Sequence, residues 1–97
     1  IVMEYNAPAA LDKYVTIAKA MSAYTEGMTR EEAAKAAVDA VRQLSIRVGI
    51  PQHLAELGIK ETDLPRLAKA AYADVCTPGN PREVTENDLL ELYKKAY

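Results

Sequence analysis

The chain has 97 residues, the length of one small domain, with 49% hydrophobic residues but seventeen alanines and neither Trp nor Phe. A net charge of −2 and a pI near 5.4, with no basic block, argue against a nucleic-acid surface, which needs clustered Lys and Arg to neutralise phosphates. No apolar run approaches the roughly 20 residues of a membrane span, no signal peptide opens the chain, and one cysteine cannot form an internal disulfide, so the expected compartment is the cytoplasm.

The first residue is Ile, not Met, as expected for a piece of a longer chain. Pro8 disfavours helical geometry at Ala7, so a helix in the apolar opening should end near Tyr5 or Asn6. Tyr14, Ile17, Ala18 and Met21 recur at helical spacing, with Asp12 in the first turn, and predict an amphipathic helix of about three turns that breaks at Tyr24 to Met28. Thr29 and Glu32 form a capping-box pattern. The helix after them has an apolar stripe of Ala34, Ala37, Val38, Val41, Leu44, Ser45 and Val48, with Lys35, Asp39, Arg42 and Arg47 off it. Glu31 and Lys35 are spaced for an i,i+4 pair. Gly49 is the expected left-handed terminator, and Pro51 prevents resumption.

Residues 51–57 read as one short turn with Pro51 near its first position, ended by Gly58. The next helix should start between Glu61 and Pro65, capped by Thr62 or Asp63, with a stripe of Leu64, Leu67, Ala68, Ala71 and Val75. Thr85 and Asp88 open a last helix that buries Leu89, Leu92, Tyr93 and Ala96 and ends on Lys94 and Lys95, where positive charge suits the dipole. No strand-like alternation occurs. The fold class expected is all-α, a compact cluster of about five helices.

Candidate chemistry is sparse. His53 is the only histidine, and catalytic metal sites usually take three protein ligands, so it reads as a partly exposed structural side chain. The four glycines are isolated terminators rather than a phosphate loop. Cys76 is the one nucleophile candidate. A helix C-terminus is the wrong end of the dipole for a thiolate, so a small side chain lining a pocket or core is the better reading. Around it, Pro78 and Pro81 stiffen the loop and Gly79 permits a positive φ. Such a loop is either a rigid connector or a device that sets Cys76, Asn80 or Arg82 against a cleft.

That loop, Asp74-Val75-Cys76-Thr77-Pro78-Gly79-Asn80-Pro81-Arg82, with Thr85-Glu86 and Asp88-Leu89-Leu90-Glu91-Leu92-Tyr93 after it, resembles the C-terminal end of iron-containing (group III) alcohol dehydrogenases. Val2-Met3-Glu4-Tyr5-Asn6 resembles the segment after that family's last metal-binding histidine. Val48-Gly49-Ile50-Pro51-Gln52-His53-Leu54 resembles its GIP-x-x-L turn, and residues 57–64 resemble the lead into its penultimate helices. Pro78 departs from the pattern, standing where the family usually has glycine. The resemblance implies a longer enzyme with an N-terminal domain binding NAD(P) and a helical C-terminal domain carrying iron, sometimes zinc, and interconverting alcohols and aldehydes by hydride transfer with the metal as Lewis acid. It further implies that residues 1–97 are the last part of the helical domain. The metal ligands, one Asp and three His, then lie upstream, and His53 matches none of them. On this reading no residue here is catalytic, metal-binding or cofactor-binding, and Cys76 is the one candidate for the substrate-pocket wall. The chain alone would be inactive and without bound cofactor, and the enzyme a homo-oligomer acting on a small alcohol or aldehyde, with no nucleic-acid or membrane partner.

A second hypothesis is a stand-alone helical interaction module whose alanine-lined grooves receive a partner helix.

Overall fold

The computed structural model describes residues 1–97 and is all-α: five α-helices and four short 3-10 turns, with no strand. None of the helices is long and apolar enough to cross a membrane. The chain divides into two compact units, residues 2–50 and residues 51–97 with Ile1.

In the first unit α1 (Val2–Asn6) runs into a 3-10 turn (Ala7–Ala9), followed by α2 (Leu11–Ala20) and α3 (Arg30–Arg47). Ala7 stays in helix-like geometry despite Pro8. The turn's bond is donated by Ala10 to the Ala7 carbonyl, so the amide that proline lacks is not needed. The expected end of α1 near Asn6 stands. Between α2 and α3 Gly27 adopts a φ of +91°, and Ser22 takes a left-handed φ of +56° at the end of α2, where the Ala23 amide donates to the Ala18 carbonyl.

α3 starts and ends as its sequence dictates. Thr29 Oγ1 accepts from the Glu32 amide at 3.1 Å while the Glu32 carboxylate accepts from the Thr29 amide at 2.8 Å. At the other end Gly49, with φ +79°, lets the Ile50 amide reach the Ser45 carbonyl at 2.9 Å and its own amide reach Ile46. One expected pair is replaced: Lys35 bonds Asp39 at 2.7 Å rather than Glu31.

α2 packs on α3 through Tyr14, Ala18, Ala33, Ala34 and Ala37, so four of the five buried core residues are alanines. A buried methyl-sized group brings about 0.8 kcal/mol, against about 1.5–3 kcal/mol for a whole Leu or Phe side chain. Met3, Leu11, Val15, Ile17 and Val38 add half-buried area around this seam. The Tyr14 hydroxyl donates to the Met3 carbonyl at 2.7 Å and ties α2 to α1. The expected stripe on α3 is buried only in its N-terminal half. Leu44 is 40% exposed and Val48 64% exposed. The reason is length: ten residues of α2 span about 15 Å and eighteen of α3 about 27 Å, so the partner ends first.

The second unit opens with a 3-10 turn (Leu54–Leu57), begun not by Pro51 but by the extended residue His53. The Glu56 carboxylate accepts from the Gln52 and His53 amides, and Gly58 closes the turn at φ +77°. A second 3-10 turn (Glu61–Asp63) leads into α4 (Leu64–Ala73), with Pro65 in its first turn. Asp63 does not cap α4 as expected. Its carboxylate accepts from the Lys60 amide of the preceding turn and pairs with Arg66. A third 3-10 turn (Thr77–Gly79) precedes α5 (Glu86–Ala96), which opens on the expected Thr85–Asp88 capping box. α4 packs on α5 around Leu64, Ala68 and Leu92. Val75, assigned to the α4 stripe from its spacing, is 92% exposed because the helix stops at Ala73.

Two measurements check this packing. Ala37 is fully buried, so Ala37→Leu should cost about 1–3 kcal/mol in urea unfolding, whereas Gln43→Ala on the exposed side should stay within about 0.5 kcal/mol. Equal costs would contradict the α2–α3 seam. Burial pushes the Tyr14 phenol above its usual 10.0, so the folded chain keeps a proton that the unfolded chain releases. Tyr14→Phe should cost about 1 kcal/mol at neutral pH. That difference should be present in full below pH 10 and shrink as pH rises through the raised folded value. A pH-independent difference would refute the assignment.

Candidate functional site

Two places remain as candidates, the Cys76 loop and a groove in the first unit. The loop is fastened by its own polar side chains. Asp74 Oδ1 accepts from the Cys76 amide at 2.8 Å, and the Asp74 carbonyl accepts from the Thr77 amide at 3.1 Å. Thr77 Oγ1 donates to the Ala71 carbonyl at 2.6 Å, which also accepts from the Asp74 amide at the end of α4. Asn80 Nδ2 donates to the Arg82 carbonyl. Pro78 fits the 3-10 turn, whose fixed φ matches its ring, and Gly79 does not use the positive φ open to it. These bonds fasten the loop to its own backbone and to the end of α4.

Cys76 is a free, exposed thiol three residues beyond α4. Arg82 is exposed as well, while Asn80 is half-buried. None of the three lines the groove. His53 is exposed on its turn, and its amide, rather than its ring, makes the hydrogen bond to Glu56. No three His, Cys, Asp or Glu side chains come together anywhere in the chain to hold a metal ion.

The groove has a volume of about 520 Å³. Ala7, Pro8, Leu11, Ala34 and Val38 form its apolar lining; Glu4, Glu31, Lys35, Asp39 and Arg42 supply charge around it. It lies between the 3-10 turn at Ala7–Ala9 and the face of α3 that carries Ala34 and Val38. Sequence reasoning missed it. The signal was the charged set at 31, 35, 39 and 42 running alongside the apolar stripe of α3, which reads equally well as a solvated face. The Lys35–Asp39 pair already neutralises part of the rim. Its lining holds neither a thiol nor an imidazole.

Comparison with known proteins places these features. The sequence model of the Fe-containing alcohol dehydrogenase family, C-terminal part, matches residues 1–97. The chain belongs to the iron-containing alcohol dehydrogenase family. Lactaldehyde reductase of Escherichia coli (strain K12) is 52% identical over 96 residues, covering 99% of this chain and 25% of that protein. The NAD-dependent methanol dehydrogenase of Bacillus methanolicus is 36% identical, with 98% and 25% covered. The crystal structure of a 1,3-propanediol oxidoreductase superposes with a TM-score of 0.95 at 38% identity, covering 99% of this chain and 25% of that one. The chain therefore spans about a quarter of the length of these relatives. The iron that the family name implies needs a ligand set that this iron-containing alcohol dehydrogenase segment does not assemble from its own residues.

The Thr77 hydroxyl gives the loop a direct test. Thr77→Val keeps the shape, removes the bond to Ala71 and should cost about 1 kcal/mol. Hydrogen exchange of the amides at the end of α4 and through the Thr77–Gly79 turn should quicken, and unchanged protection there would refute the fastening.

Proposed function

We propose that this chain is the last part of the helical domain of an NAD(P)-dependent, iron-type alcohol dehydrogenase that interconverts small alcohols and aldehydes by hydride transfer. The match of the family's C-terminal model to all 97 residues carries this reading, and the fold-wide superposition on a 1,3-propanediol oxidoreductase supports it. The same match disfavours an unrelated stand-alone interaction module. The nucleotide-binding domain and the metal ligands belong to the rest of the enzyme, with zinc as the alternative to iron. The residues present supply structure: a helical wall, held by the α2–α3 and α4–α5 contacts, for one side of the substrate cleft. Identity to lactaldehyde reductase makes lactaldehyde the first substrate to test, with NADH and NADPH both assayed.

Within that enzyme we assign Cys76 to the pocket wall. Its exposure in the isolated chain suits a residue that faces a neighbouring part of the enzyme, and its thiol is small and weakly polar. A reducing, cytoplasmic setting agrees with an unpaired exposed thiol. The exposed apolar residues Leu44, Ile46, Val48 and Ile50 favour burial against other protein, including further subunits of a homo-oligomer.

The 97-residue chain on its own should bind less than stoichiometric iron or zinc by elemental analysis, show no oxidation of NAD(P)H with lactaldehyde, and associate in light scattering. The longer protein that contains it should reduce lactaldehyde with NAD(P)H. Stoichiometric metal on the isolated chain, or an inactive metal-loaded longer protein across a panel of short aldehydes, would overturn the reading. In the longer enzyme Cys76→Ala should change the ratio of kcat/KM between short and longer aldehydes by up to about tenfold while leaving metal content unchanged. Identical ratios across the panel would remove Cys76 from the pocket wall.

A further inference from the structure

We draw no further inference here: the strongest candidate, the charge-rimmed apolar groove beside Pro8, Leu11 and Val38 in the first unit, carries nothing because nothing in the structure shows what covers it.

Discussion

A side chain of one carbon reaches only a short way across a helix interface, so the contact of α2 with α3 is shallow and its stabilisation is limited by area. Ala18, Ala33, Ala34 and Ala37 are almost completely removed from water, yet together they hide less apolar surface than a Leu-rich seam would. Tyr14 is the exception in size, and its burial is possible because its hydroxyl finds the Met3 carbonyl. From this follow the half-buried state of most flanking hydrophobics and the groove beside Ala34.

Where the cores are thin, local polar bonds define the chain path. Capping boxes at Thr29 and Thr85 fix two helix starts, and loss of such a cap typically costs about 1 kcal/mol. Glu56 and Asp74 each satisfy backbone amides in their own turns. The ion pairs contribute less. Asp12–Arg30, Lys35–Asp39, Asp63–Arg66 and Glu91–Lys94 are all solvent-exposed, and such pairs are typically worth about 0–1 kcal/mol.

The acidic side chains show the same division of roles. A metal centre needs converging ligands, whereas Glu32 and Asp88 serve helix starts, Glu56, Asp63 and Asp74 bind turn amides, and Asp12, Asp39 and Glu91 form surface pairs. Family membership is read along the whole length.

By itself the sequence determined the elements and the family. Thr29, Gly49, Gly58 and Thr85 are local signals, each acting within a few residues of itself, and each does in the structure what its chemistry requires. The motif around Cys76 is likewise continuous in the chain, which is why it announces the family so clearly. Tertiary structure decided what periodicity cannot: how far along α3 a partner extends, which carboxylate Lys35 chooses, and that Val75 falls beyond the helix it was assigned to. It also decided that Asp63 serves the turn before it and that Gly79 needs no positive φ. The groove belongs to the same class, because it arises from what the 3-10 turn at Pro8 and the face of α3 leave unfilled between them. Periodicity says which face of a helix is apolar. Whether that face is covered depends on the length and placement of another element, which no stretch of α3 encodes.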